Sequence, residues 1–384
     1  VTIMRGGWLL AGVILVSAAA PARAADDAAI AAAIDGAAQQ AIAAGETPGL
    51  QVAVYKDGKP LLVKGYGAGS LELAMPVGND SIFRIGSVTK QFTAAALVKL
   101  EEEGKLSLDD LLSKYYPDYP RAGEITLKQM LHHTSGMHNY TEDESFLAQA
   151  ALTKSPDQWV AYFAKMPKVQ DFEPGTDWNY SNTAYFLLGA VVEKVEGRPL
   201  AKVLEARFFE PLGLRHTALD DEREIVAGRV AGYDGEPGKF RNAAPISMTI
   251  PGGAGAMRST AEDLARWNAA LFGGKVLKPA SLAAMTAPGK LGNGRTSSEA
   301  IAKKGGMPAG EYGYALFISD YEGHRKISHG GGIFGFNSSL SEFPGDRVTV
   351  AVIANSIGKD LGARMVAERI ERIALDLPAK PVTK

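Results

Sequence analysis

The 384-residue sequence contains no cysteine. That absence removes disulfides, a thiol nucleophile, a lipid-modified N-terminal cysteine and every Cys-ligated zinc or iron–sulfur site. An excess of one charge sign is also missing. Lys and Arg number 41 against 43 Asp and Glu, a formal charge of −2, so there is no electrostatic pull towards nucleic acid or an anionic membrane. Runs of like charge stop at three residues, as in Glu101-Glu102-Glu103, which reads as a solvated helix end. Internal repeats and low-complexity linkers are absent. His132, His133 and His138 cluster without His-Glu-x-x-His spacing, so no metal site is expected. Gly65, Gly67 and Gly69 lack the rest of a dinucleotide fingerprint, and no Gly-x-Ser-x-Gly elbow is present.

Long hydrophobic runs are missing too. The one apolar stretch, Trp8 to Ala20, is short for a membrane span. With Arg5 before it and Ala22-Arg23-Ala24 after it, residues 1–24 read as a secretory signal peptide. Val1 reads as an alternative start, with Met4 as the other candidate. The expectation is a periplasmic or secreted protein with no membrane association after cleavage. Its core must hold it together without covalent cross-links.

What is present is an ordinary globular composition, 46% hydrophobic and 22% charged, long enough for two domains or one large one. An Ala-rich helix is expected from Asp26 to about Gly45. Gln51–Tyr55 and Leu61–Tyr66 flank Asp57-Gly58 as a hairpin. Val88–Glu103 reads as a helix ending at Gly104. Thr126…Gln129 and Ser155-Pro156…Gln158 are capping boxes, and Asn182–Glu196 is an amphipathic helix ending at Gly197. Helices also fit Leu200–Phe209 and the segment from Thr260 through Trp267. Strands are expected at Tyr314–Ser319, Arg325–Ser328, Asn337–Phe343 and Val348–Ala354, before a last helix, Leu361–Leu377. Strands near both ends enclose a helical block. This gives an α/β domain of residues 25–110 plus 241–384, and a mainly helical domain of 111–240.

Three segments carry chemistry. In Phe83-Arg84-Ile85-Gly86-Ser87-Val88-Thr89-Lys90, a serine at a helix start meets the helix's positive end, and Lys90 one turn on faces it. Phe92, Ala95 and Ala96 would desolvate that lysine and lower its pKa. Taken alone, Ser-x-x-Lys is equally an N-cap serine before a surface lysine. In Tyr180-Ser181-Asn182, a phenol near an ammonium is a proton shuttle, while Ser181 or Asn182 can simply cap the following helix. In His329-Gly330-Gly331-Gly332, a strand running into glycines admits close backbone approach. The N–H groups of Ser87 and Gly332 would then pair as an oxyanion hole.

The ordered set Ser-x-x-Lys, Tyr-x-Asn and His-x-Gly resembles the serine β-lactamase and penicillin-recognising hydrolase superfamily, in its class C-like branch. Gly65-Tyr66-Gly67, Leu131-His132-His133-Thr134-Ser135-Gly136, Phe172-Glu173-Pro174-Gly175 and Gly252-Gly253-Ala254-Gly255 extend the likeness over about residues 40–355. The resemblance implies an α/β (α+β) fold: an antiparallel five-stranded sheet flanked by helices, joined to an all-helical second domain. It implies Ser87 as acylated nucleophile, Lys90 and Tyr180 as proton carriers, and Asn182, His329 and Gly331 as substrate contacts, with no cofactor. Which of Lys90 and Tyr180 is the formal base stays open. Where β-lactamases of the branch carry Lys-Thr-Gly, this chain has His329-Gly330-Gly331, without a fixed charge at pH 7. Esters, amides of low charge or D-amino-acid peptides are therefore favoured as substrates over β-lactams. A non-catalytic ligand-binding member is the alternative outside enzymology.

Overall fold

The computed structural model describes residues 19–304, 310–359 and 361–378. Of the expected signal segment, residues 1–18 lie outside the described residues, and the remainder falls within the first helix, α1 (Ala19–Ala43).

The central feature is one antiparallel sheet. Its N-terminal strands are β1 (Gly49–Lys56), β2 (Lys59–Ser70) and β3 (Met75–Pro76). Its C-terminal strands are β4 (Glu311–Tyr312), β5 (Phe317–Tyr321), β6 (His324–Ile333), β7 (Phe336–Phe343) and β8 (Val348–Ala354). In space the order is β3-β2-β1-β8-β7-β6-β5-β4, so the sheet has eight strands where five were expected. Six of the eight were read strand by strand from the sequence; the other two, the edge strands β3 and β4, are two residues long, too short to leave an alternating pattern. β1 and β8 join the two ends of the chain, with Val52 opposite Val352. Both strands are buried on both faces, which is why each reads as a mostly apolar run, broken only by Gln51 and Thr349 before Lys56 ends β1.

On one face, α1 and α5 (Ala363–Ala374) cover Val52, Val54, Val350 and Val352 with Ile34, Ala38, Val366 and Ile370. The opposite face, carrying Ala53, Ala351 and Ile353, packs on a larger core. That core contains α2 (Thr89–Glu102), α3 (Asn182–Glu196) and α4 (Ala261–Phe272). The middle of the chain is mainly helical, with both expected capping boxes formed. It is not all-helical: Tyr233–Glu236 and Lys239–Asn242 form a hairpin, and the first of them pairs in parallel with Ser356–Gly358. Strand β6 continues through Gly330, Gly331 and Gly332, which the sequence reading placed beyond the strand's end.

Candidate active site

Ser87 lies in the 3-10 turn Gly86–Val88 that leads directly into α2. Glycine is required on both sides of this turn. Gly86 has φ +51°, and a Cβ there would stand 2.8 Å from the Gly332 nitrogen. At Gly331 a Cβ would stand 1.9 Å from the Ile85 carbonyl oxygen. The glycines of β6 thus let the Ser87 turn lie on the strand. Gly331 serves that packing, a role the sequence reading had not separated from substrate approach. The Ser338 hydroxyl donates to the same Ile85 carbonyl (2.8 Å), and Thr89 Oγ1 donates to the Gly86 carbonyl (2.7 Å).

Lys90 is wholly buried one turn below. Its Nζ lies 3.1 Å from Ser87 Oγ and donates to Asn182 Oδ1 (2.7 Å) and to the Ala254 carbonyl (2.8 Å). No carboxylate is among these partners, and burial holds the pKa well below the ordinary lysine value. The Tyr180 and Tyr185 rings stand 4.7 and 5.6 Å from Nζ. Cation–π attraction of about 0.5–2 kcal/mol favours the charged form, but the effective penalty for stripping water from an ammonium is several kcal/mol. The desolvation dominates.

Tyr180 is half-buried beside Ser87, whose hydroxyl favours its phenolate. Burial outweighs that influence and raises the phenol's pKa. The sequence reading expected a nearby ammonium to stabilise phenolate; here the amine is itself driven towards neutrality, and the phenol keeps its proton. Asn182, the first residue of α3, is oriented by Nδ2 donating to Asn139 Oδ1 (3.2 Å) and Thr141 Oγ1 (3.3 Å). Ser181 is the N-cap, accepting from Ala184 N. Capping and site-building therefore coexist at this helix end.

His329 lines the cleft beyond Tyr180. Its Nδ1 lies 2.6 Å from the Gly330 carbonyl and its Nε2 lies 3.1 Å from the Tyr312 hydroxyl. The carbonyl can only accept, so Nδ1 carries the proton and Nε2 accepts from Tyr312. Burial, with Lys90 adding to it, pushes the pKa down to about 3. The ring is neutral and internally bonded, and what it offers a ligand is mainly its surface.

Several partners had been given no role in the site by the sequence reading. His133 accepts from Ser181 N at Nδ1 (3.1 Å), and its ring centroid lies 4.4 Å from that of Tyr180. It sits among Trp178, Tyr185 and Tyr312, under the phenol, and the only signal for it was the His-His-Thr-Ser-Gly phrase. Ala254 lies in the quartet Gly252–Gly255, where a Cβ at Gly253 would meet Gly189 Cα at 2.9 Å. That close packing against α3 brings the Ala254 carbonyl within reach of Lys90. His138, Glu142 and Asp171 also converge, but Asp171 is held by Lys168 (2.8 Å) and by His138 itself (2.7 Å).

This fold and this constellation define a serine hydrolase of the β-lactamase-like class. The family model described as Beta-lactamase matches residues 34–374, and the chain belongs to that family. It is 26% identical over 338 residues to penicillin-binding protein 4* of Bacillus subtilis, covering 83% of this chain and 71% of that one. It is 26% identical to a D-aminopeptidase of Gluconobacter oxydans, covering 87% of this chain but only 60% of the relative. Among solved structures, a D-stereospecific amidohydrolase from Streptomyces matches with TM-score 0.73 at 30% identity, covering 89% of this chain and 97% of the other. The D-amino acid amidase of Ochrobactrum anthropi matches with TM-score 0.76 at 25% identity, covering 91% and 99%.

Proposed function

We propose that the protein hydrolyses small esters, amides or D-amino-acid peptides through an acyl-enzyme on Ser87. The observation that carries this is a buried Lys90 without a carboxylate partner, 3.1 Å from the Ser87 hydroxyl. A neutral amine has two N–H bonds and one lone pair. Asn182 Oδ1 and the Ala254 carbonyl can only accept and take the two N–H bonds. The lone pair is left for the Ser87 O–H. Lys90 then removes that proton as Oγ attacks the carbonyl carbon. The Tyr180 phenol delivers a proton to the departing amine or alkoxide and recovers one through Lys90. Water attacks the acyl carbon in the reverse sense, releasing the acid and restoring Ser87.

The oxyanion is assigned to the backbone N–H groups of Ser87 and Gly332. Ile333 and Phe336 close the two-residue turn between β6 and β7. Antiparallel alternation then points the Gly332 N–H away from β7, towards the cleft. Asn182 and the His329 ring are assigned to substrate positioning. The neutral His329 supports substrates of low charge in place of β-lactams. We also infer export, supported by Arg5, the apolar stretch and Ala22-Arg23-Ala24. N-terminal sequencing of the extracytoplasmic fraction should begin after about residue 24; an intact chain kept inside the cell overturns that inference.

The test is a chromogenic short-chain ester beside a chromogenic cephalosporin. Ester turnover should exceed cephalosporin turnover, and mass spectrometry should find the acyl adduct on Ser87. Ester turnover undiminished in Ser87→Ala ends the proposal.

A further inference from the structure

The cleft divides at Ser87 into two cavities of unlike chemistry. One, about 440 Å³, is lined by Tyr180 and His329 and carries Lys326, Arg364, Glu368 and Glu371 on its outer wall. The other, about 420 Å³, runs past Asn182 and Gly332 and is walled by Tyr140, Phe146, Ile246, Phe334 and Ile357. The Phe146 ring centroid lies 5.5 Å from that of Tyr140 and 6.1 Å from that of Phe334, so this wall is a continuous aromatic surface. Among the described residues lining it, Asp234 alone is charged.

Asp234 makes no side-chain hydrogen bond or ion pair with any described residue. Arg241 stands directly across the hairpin ladder from it, without forming an ion pair. Asp234 is half-buried, in the strand Tyr233–Glu236 that pairs with Ser356–Gly358. A carboxylate held on a rigid strand, at an apolar wall and without an ion-pair partner among the described residues, is complementary to an ammonium carried beside an apolar group.

Proton delivery decides which part of a substrate occupies each cavity. The leaving group must lie where Tyr180 can protonate it, in the first cavity. The acyl group then lies in the second. Resting on the acyl-enzyme reading above, we propose that Asp234 selects acyl groups bearing a free ammonium and an apolar side chain, that is, aminoacyl or short peptidyl amides and esters with a free amino end. The bond broken is the acyl C–N or C–O bond, as in the proposed reaction. Asp234 forms no covalent bond and is a specificity residue for the acyl part.

The test compares phenylalanine p-nitroanilide, in both enantiomers, and phenylalanyl-phenylalanine p-nitroanilide with the deaminated 3-phenylpropionyl p-nitroanilide. The readout is the ratio of kcat/KM with and without the amine. The intact protein should favour the amine. Asp234→Asn, which keeps the shape and removes the charge, should lower the ratio about ten- to a hundred-fold, the scale of one hydrogen bond to a charged group. The preference should also decline as pH rises through the substrate amine's ionisation near ~8. A ratio unmoved by Asp234→Asn, or an intact protein favouring the deaminated substrate, overturns this inference while leaving the acyl-enzyme intact. Absence of any acyl or phosphonate adduct on Ser87 overturns the underlying reading, and this one with it.

Discussion

Lys90 and Lys326 stand on two sides of one cleft, and their surroundings differ in one decisive respect. Lys326 reaches Glu371 Oε2 at 2.6 Å, and Glu371 is also held by the Ser341 hydroxyl at 2.6 Å. Lys90 is buried more deeply and meets a hydroxyl, an amide oxygen and a carbonyl. Paired with Glu371 of α5, Lys326 ties β6 to that helix and stabilises the wall that contains it. A buried, unpaired lysine is driven towards the neutral amine, the form that can accept a proton from serine. One lysine is tied into an ion pair; the other, in the mechanism proposed above, is the base, and the carboxylate makes the difference.

Substitutions can break this contrast. Ser87→Ala and Lys90→Met should each lower ester kcat/KM by about 10⁴- to 10⁶-fold, the range seen when members of a nucleophile–base pair are removed. Lys90→Met should unfold at a denaturant midpoint no lower than the parent, since relief of the amine's desolvation offsets the hydrogen bonds lost to Asn182 and Ala254. Tyr180→Phe should cost about 10²- to 10⁴-fold in turnover, the usual worth of a positioned acid or base. A loss below tenfold would remove the phenol from the proton path. Lys326→Met should reverse the pattern. It strands Glu371 in a buried site, a loss of about 3–5 kcal/mol in unfolding free energy, with a far smaller effect on ester turnover than Lys90→Met.

The pH dependence sharpens the comparison. The proposed mechanism requires neutral Lys90, so kcat/KM should rise as pH climbs through its depressed pKa. His329, pushed down to about 3, should add no inflection between about pH 5 and 8. A third buried ionisable group gives a smaller, separable effect. Glu342 accepts from Thr349 Oγ1 at 2.6 Å, and burial raises its pKa to about 7. The folded protein keeps this proton at pH values where the unfolded chain has lost it. Stability should therefore fall as pH rises from the unfolded carboxyl's value, near ~4.3, through about 7, by up to roughly 3 kcal/mol. Glu342→Gln should flatten that slope in denaturant titrations between about pH 5 and 8 while leaving ester turnover within a few-fold. An unchanged slope would place the pH sensitivity elsewhere.

Legibility in the sequence followed the range of the interaction. The hairpin around Asp57-Gly58, the capping boxes at Thr126 and Ser155 and the helix from Asn182 to Gly197 are local, and each formed where its residues indicated. The sheet's strand count was not legible, because Met75–Pro76 and Glu311–Tyr312 become strands only by lying beside longer neighbours. The glycines of β6 were visible as a run, but their purpose, room for the Ile85 carbonyl and the Ser87 turn, depends on a contact some 250 residues apart in sequence.

Residue spacing by itself determined that Ser87 and Lys90 share one helix face, and that Tyr180 and Asn182 flank a capped helix start, because a helix repeats its geometry over three or four residues. Tertiary structure alone decided that Lys90 would meet Asn182 and the Ala254 carbonyl in place of a carboxylate, that His329 would bond inward, and that Asp234 would line an apolar cavity without an ion-pair partner among the described residues. Protonation state depends on what surrounds a group in all directions. Most of those neighbours come from distant parts of the chain, brought together only by folding.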